Sequence, residues 1–210
     1  MRIVQKSGLK GSLKWIQLLI NDHPYVMNQQ IGTSTIDWVS PLKDDDFAEY
    51  RDSEFLQILG LKHLQEQLRN FWPNSGPQWD ALGRSDNKYY LVEAKANIPE
   101  IKSTCKAKNP RSVSKIEQAI SSTKQYLNVE NVGGWLDGYY QYANRLTHLF
   151  FLRELCGVDA ELVFVYFCDD PTHISTSREE WQTILTDQKK VMGIDKIEHV
   201  TELFINCSEM

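Results

Sequence analysis

The chain has 210 residues, of which 41% are hydrophobic and 11% aromatic, and its formal net charge is −5. This composition excludes an intrinsically disordered chain, because burying so many aromatic side chains can offset the entropy lost on folding. No run of about 18 apolar residues exists, which excludes a membrane-spanning helix, and the mild acidity argues against a protein that coats nucleic acid along its whole surface.

Two segments before residue 73 carry apolar residues at helical spacing. Leu13–Ile20 predicts a short helix with Ser12 as its N-cap, and Ser53–Trp72 predicts a long amphipathic helix. Between them, residues 21–46 contain prolines, a glycine and an acidic run, a pattern that is typical of irregular structure.

Strand and helix patterns alternate after the Pro73–Pro77 cluster that ends the second helix. Two strands, Trp79–Leu82 and Lys88–Ala96, are predicted to flank a polar turn over Gly83–Asn87. The later elements are helices over Ser114–Leu127 and Trp135–Leu155, a buried strand over Glu161–Cys168, a helix over Ser177–Met192 and a strand over His199–Cys207. Helices around a few strands indicate an α/β fold, borderline with α+β, built on one mixed sheet.

Several classes of site are excluded by missing motifs. The four cysteines are far apart without a CxxC pair, so we expect free thiols in a reducing cytoplasm and neither disulfides nor structural zinc. The chain lacks HExxH, the phosphate-binding glycine loop and GxSxG, which argues against the enzyme classes that these motifs define.

The candidate chemistry lies on the two predicted strands around residue 83. Glu93 and Lys95 are two residues apart, so they point to one face of a strand, and Asp80 on the preceding strand can reach them. A charged pair in an apolar strand is costly to bury unless something binds it. Two carboxylates suit a hard divalent cation such as Mg²⁺. The structural alternative is a salt-bridge cluster at a sheet edge, in which Glu93 pairs with Lys95 or Arg84.

The pattern Asp80 … Glu93-Ala94-Lys95 resembles the PD-(D/E)xK nuclease superfamily. The resemblance implies a restriction-endonuclease-like fold, with a mixed central sheet flanked by helices. It also implies hydrolysis of DNA phosphodiester bonds, with Mg²⁺ (or Mn²⁺ in its place) held by Asp80, Glu93 and the carbonyl of Ala94. Lys95 would orient or deprotonate the attacking water, or would neutralise phosphate charge. To act as a base, Lys95 would need a lowered pKa.

This resemblance covers a core of about residues 53–168 within one expected domain, 1–210, and leaves residues 1–50 as an N-terminal extension. Segments such as LVEAKANIPE and YYQYANRLTHLFFLREL also resemble a bacterial protein family, a likeness that implies no reaction of its own. One departure is that no clear strand is predicted between the first helix and the Asp80 strand. Since some superfamily members bind DNA without cutting it, the alternative function is a catalytically inactive nucleic-acid-binding or protein-interaction module.

Many superfamily members supply a third carboxylate from the helix before the Asp strand. The candidates are Glu49, Asp52, Glu54 and Glu66. When each residue of a helix over Ser53–Trp72 is advanced by about 100°, Glu54 falls inside the apolar arc and the other three fall outside it. We therefore predict that Glu54 completes the catalytic site; if Glu54 faces solvent, either Glu66 takes this role or no acid of the helix has it.

Two further segments hold candidate DNA contacts. Residues 102–115 carry five basic and no acidic side chains, of which Lys106, Lys108 and Arg111 are the predicted phosphate contacts. On the long helix, Gln141 and Arg145 share one side, and related nucleases use a polar residue on this helix. The alternatives are a solvated loop and packing of the helix on the sheet. DNA is the expected partner in preference to RNA, and a homodimer is compatible with the sequence.

Overall fold

The computed structural model describes residues 1–33, 35–86, 88–130 and 132–210. Helices α1 to α7 span Gly11–Asn21, Pro24–Ile31, Ser53–Ile58, Gln65–Phe71, Pro110–Tyr126, Tyr140–Phe150 and Arg178–Met192. Strands β1 to β9 span Arg2–Ile3, Asp37–Ser40, Glu49–Tyr50, Ala81–Ser85, Lys88–Lys95, Ser103–Thr104, Asp137–Gly138, Ala160–Cys168 and Val200–Asn206. Among these described helices, none has both the length and the apolar character needed to cross a membrane.

Five strands form a mixed central sheet in the order β2-β4-β5-β8-β9. Strand β4 runs antiparallel to both β2 and β5, whereas β5, β8 and β9 run parallel to one another. Strand β5 is therefore the middle strand. Every residue of β8 is buried, as its apolar run predicts for a strand covered on both faces. The expected α/β architecture, one mixed sheet flanked by helices, is confirmed.

Helices cover the sheet on both faces, and alternate residues of β5 belong to different clusters. Leu91 packs in the larger cluster, with side chains from α3 to α7. Val92 packs in the smaller cluster, with Trp15 and Leu19 of α1. The first fifty residues, expected to form an extension, contribute α1 and the edge strand β2. The hydrophobic core therefore includes side chains on both sides of the stretch 53–168.

Three predicted stretches differ from the structure because of local backbone geometry. The helix expected over Ser53–Trp72 is divided between α3 and α4, because Gly60 adopts φ +82°, which ends the first helix. Residues 21–46, expected to be irregular, contain α2 and β2; Ser34 lies outside the described residues. Helix α1 begins at Gly11, so Ser12 lies in its first turn instead of capping it.

Two predicted boundaries also differ from those in the structure. The helix expected from Trp135 begins only at Tyr140, because the preceding residues form β7 and pair with β6, and it ends in a π-helical turn over Phe151–Leu155. Strand β4 continues through Gly83, where the sequence pattern predicts a turn. A Cβ at Gly83 would lie 2.6 Å from Ile36 Cγ2, so glycine is needed there for close packing and not for turning. Asn87 of the same predicted turn lies outside the described residues.

Candidate functional site

Strand pairing places Asp80 beside Glu93. Ala81 is the first residue of β4 and pairs with Val92, so the preceding Asp80 lies opposite Glu93. The backbone N–H of Asp80 donates to Val92 O (3.2 Å), and the N–H of Ala94 donates to Asp80 Oδ2 (2.7 Å). Both carboxylates point to the face that α6 covers, as the alternation of the two strands predicts.

Glu93 is 2% exposed and is held by two cations. Lys95 Nζ bonds Glu93 Oε1, while Arg145 Nε donates to Glu93 Oε2 at 2.7 Å. The Glu93–Lys95 pair is the one that the structural alternative proposed, but it lies on the middle strand and not at a sheet edge. Arg84, the other partner considered, pairs instead with Asp37 (3.0 Å).

Glu49, one of the four candidates for the third carboxylate, completes this cluster together with two glutamines. Glu49 on β3 is buried and accepts hydrogen bonds from the side chains of Gln78 and Gln5. Its charge acts on both Asp80 and Glu93. The angular count that places Glu49 outside the apolar arc applies to a helix, whereas Glu49 lies on a two-residue strand, which has no periodic signature in sequence.

These residues form the floor of a cleft of about 1110 Å³. Four predicted chemical residues line it: Asp80, Glu93, Ala94 and Lys95. Four predicted DNA contacts also line it: Lys106, Lys108, Gln141 and Arg145. Residues 73–78 line the cleft as well.

Two predicted site residues lie elsewhere. Glu54 is in the first turn of α3, outside the cleft lining, where its charge acts on the amino group of Met1. Arg111 is exposed in the first turn of α5, also outside the lining, and its backbone N–H donates to Asn109 Oδ1 (2.9 Å). The structure therefore brings Glu49, and not Glu54, to the candidate site.

The surroundings of Asp80 and Glu93 shift the pKa values of these two carboxyls in opposite directions. Burial, reinforced by the charges of Glu93 and Glu49, raises the pKa of Asp80 well above its ordinary value. Burial also opposes ionisation of Glu93, but Arg145 and Lys95 outweigh it and lower the pKa of Glu93. Asp80 is therefore the carboxyl that a bound cation would stabilise most.

Lys95 keeps its proton in this environment. Burial opposes its charge, but Glu93 and Asp80 outweigh burial and raise the pKa of Lys95. A general base would need the opposite shift. In the structure Lys95 therefore acts as a cation, which favours charge neutralisation over proton abstraction.

The donor atoms at the site are of the chemical type that Mg²⁺ prefers. Asp80 and Glu93 supply hard carboxylate oxygens. The N–H of Ala94 donates to Asp80, and a strand residue directs its N–H and C=O to the same edge of the strand, so the Ala94 carbonyl lies on the β4 side of β5. Within the four described ranges, no group of three or more His, Cys, Asp or Glu side chains is arranged to hold a metal ion. Mg²⁺ tolerates so few protein ligands, since water and substrate oxygens usually complete its shell.

The chain was compared with protein-family models, curated proteins and solved structures, and none of the three comparisons gives a match. The case for a function therefore rests on the geometry of this cleft.

Proposed function

We propose that the protein is a Mg²⁺-dependent nuclease that hydrolyses DNA phosphodiester bonds in the cleft above β4 and β5. The observation that carries this proposal is the placement of Asp80 opposite Glu93, with Lys95 beside them, at the floor of an open cleft. Buried acids without a ligand are costly, and a cluster with perturbed pKa values in a cleft is typical of functional sites.

Each residue has a role that follows from its contacts. Asp80, Glu93 and the carbonyl of Ala94 would hold Mg²⁺, which when bound supplies Lewis-acid catalysis and a more acidic water. Lys95, kept as an ammonium ion by its acidic neighbours, would neutralise charge on the phosphate. Lys106 and Lys108, exposed at the cleft, would contact flanking phosphates.

One observation favours the second candidate, a module that binds DNA without cutting it. Glu93 already bonds Lys95 and Arg145, so the charge of this one carboxylate is balanced without a metal ion. Such a cluster could serve only to join β5 to α6 under a basic surface. The two candidates differ in whether bound DNA is cleaved.

The test is cleavage of plasmid and linear DNA, with an RNA arm, in Mg²⁺, in Mn²⁺ and in EDTA. The wild type should cut DNA only with a metal ion, and Asp80→Asn and Glu93→Gln should each lose at least about 100-fold in rate, as expected when a metal ligand is removed. The control Asp37→Asn, which alters an exposed acid paired with Arg84, should cut like the wild type.

The contrary results are distinct. DNA that is bound but never cut by the wild type would support the non-catalytic module. Cleavage that survives in both Asp80→Asn and Glu93→Gln would contradict the assignment of the site. Cleavage of RNA alone would overturn the choice of DNA.

A further inference from the structure

Arg145 is the most deeply buried cation among the described residues of the cleft, although its place on the helix predicts a contact with DNA. It lies on α6, 52 residues from its partner Glu93, and only 4% of its surface is exposed. A guanidinium that contacts DNA needs free N–H groups that face solvent.

All three nitrogens of the Arg145 guanidinium are instead engaged by protein acceptors. Nε and Nη2 both contact Glu93 Oε2, at 2.7 and 2.5 Å. Nη2 also donates to the backbone carbonyl of Gln78 (2.8 Å), and Nη1 donates to Asn144 Oδ1 (2.7 Å). The guanidinium carbon also lies 5.0 Å from the centre of the Trp79 ring, within the range of a cation–π contact.

The contacts on Glu93 are unevenly distributed. Arg145 takes Oε2 twice, so Oε1 is the oxygen that remains for a cation, and Lys95 contacts it in the structure. The bond to Gln78 O also ties Glu93 to the chain two residues before Asp80. Arg145 thus joins the segment that leads into one candidate metal ligand to the side chain of the other.

We propose that Arg145 is a positioning residue that confines Glu93 to coordination through Oε1 and holds it in register with Asp80. This inference rests on the proposed function, because it assumes that Asp80 and Glu93 hold a divalent cation. Arg145 would then affect the metal ion in two opposite ways. The fixed positive charge repels the cation, while the hydrogen bonds orient its ligand.

Substitution separates these two effects. Arg145→Gln removes the positive charge and frees Oε2, so Mn²⁺ should bind at least about tenfold more tightly, since a nearby charge acts strongly in a buried site. Turnover at saturating Mn²⁺ should nevertheless fall at least about tenfold, because displacing a metal ligand by about 1 Å is expected to slow the reaction by at least this factor. Loss of packing alone would weaken both.

Arg145→Lys is the second variant, because it keeps the charge and cannot make the forked contact. Its Mn²⁺ affinity should stay within about threefold of the wild type, while its turnover falls as in Arg145→Gln. The matched control is Arg153→Gln in the π-helical turn after α6, which breaks an arginine–carboxylate pair with Asp159 (2.7 Å) outside the cleft. It should match the wild type in both properties.

The experiment measures Mn²⁺ binding to the free protein by calorimetry, DNA binding in EDTA against salt concentration, and turnover at saturating Mn²⁺. The expected result is an altered Mn²⁺ response with DNA binding unchanged. If Arg145→Gln does not fold, the split between affinity and turnover in Arg145→Lys decides.

Three results would overturn the inference. Weaker DNA binding in EDTA, with a shallower salt dependence and an unchanged Mn²⁺ response, would make Arg145 a DNA contact. Wild-type Mn²⁺ affinity and turnover in both variants would remove its positioning role and leave the proposed function intact. A wild-type protein that binds no Mn²⁺ would remove the proposed metal site itself, and the inference with it.

Discussion

The carboxyl group of Asp80 lies where its charge is least favourable to the folded state. Burial and the nearby carboxylates of Glu93 and Glu49 all raise its pKa, while the charge of Lys95 and the N–H of Ala94 lower it and do not compensate. The folded protein therefore binds a proton at Asp80 that the unfolded chain releases near pH 3.8. Stability consequently falls as the pH rises from about 4 towards the folded-state pKa of Asp80.

Asp80→Asn should remove the destabilising effect of the Asp80 charge. The amide is neutral at every pH and can still accept the hydrogen bond from Ala94, so the free energy of unfolding at pH 7 should rise, by an amount on the order of 1 kcal/mol. Urea unfolding at pH 5 and pH 7 measures the difference, which should be larger at pH 7. Asp37→Asn, at an exposed acid, should change neither value. A variant less stable than the wild type at pH 7 would contradict this account of Asp80.

His148 makes the opposite contribution to the pH dependence of stability. It is buried against the rings of Phe55, Trp72 and Trp79, with Nδ1 2.8 Å from Asn144 O. Burial, reinforced by the charge of Arg145, lowers the pKa of His148 to about 3. The unfolded chain binds this proton near pH 6.5, so the contribution to stability is lost as the pH falls from 6.5 towards 3.

His148→Phe should flatten that loss. Between pH 6 and pH 4 the wild type should lose about 1.4 kcal/mol per pH unit more than the variant, the slope for one proton. The comparison uses denaturant unfolding of both proteins across this range. The exposed His63, changed to Gln, serves as the control and should leave the slope unchanged. Parallel curves for the wild type and His148→Phe would show that His148 is not buried as a neutral ring.

Sequence was sufficient to identify the three central residues and insufficient for their partners. The positions of Asp80, Glu93 and Lys95 follow from strand alternation and a short connection, both of which are local properties. The engagement of Arg145 by Glu93 depends on how α6 packs over β5, which residue spacing does not encode. A charged residue on an amphipathic helix is usually solvated, so the burial of Arg145 had no signal of its own.

The segment that follows β5 separates basic residues that look equivalent in sequence. Lys106 and Lys108 line the cleft, whereas Arg111 lies outside it in the first turn of α5. A DNA strand in the cleft would therefore be contacted by the two lysines and not by the arginine. The boundary between the two groups is Asn109, the N-cap residue of α5, whose side chain accepts hydrogen bonds from the first turn of the helix.

Replacing the two lysines should consequently change DNA binding in a way that replacing the arginine does not. Lys106→Gln with Lys108→Gln should reduce the slope of log affinity against log salt by roughly one unit per lost phosphate contact. Arg111→Gln is the matched control and should keep the wild-type slope. Fluorescence anisotropy with a labelled duplex, in EDTA, measures both. An effect of Arg111→Gln equal to that of the lysine changes would place the DNA path outside the cleft.

Elements with strong periodic signals were predicted well, and those defined by single glycines were not. Strand β8 and helix α7 appear within two residues of their predicted bounds, because an apolar run and a capping box at Ser177 mark them. Gly60 and Gly83 were ambiguous. The first breaks a helix that its neighbours favour, and the second lies within a strand where a turn was expected.

At the scale of the whole molecule, the sheet order explains why the site has the position it has. Strand β5 is in the middle of the sheet, so residues at its end lie beneath α6 on one face and beside the start of β4. Residues 1–50 contribute α1 on the opposite face and bring Glu49 to the cleft. No local pattern predicts these long-range placements, because they depend on how strands far apart in sequence pair.

Anomalous diffraction from crystals soaked in Mn²⁺ would show whether Asp80 and Glu93 together hold a divalent cation. We expect an anomalous peak in contact with a carboxylate oxygen of Asp80 and with Oε1 of Glu93, with Lys95 Nζ displaced from that oxygen. A map without such a peak at saturating Mn²⁺, with the pair between Lys95 and Glu93 intact, would show that these carboxylates are not a metal site.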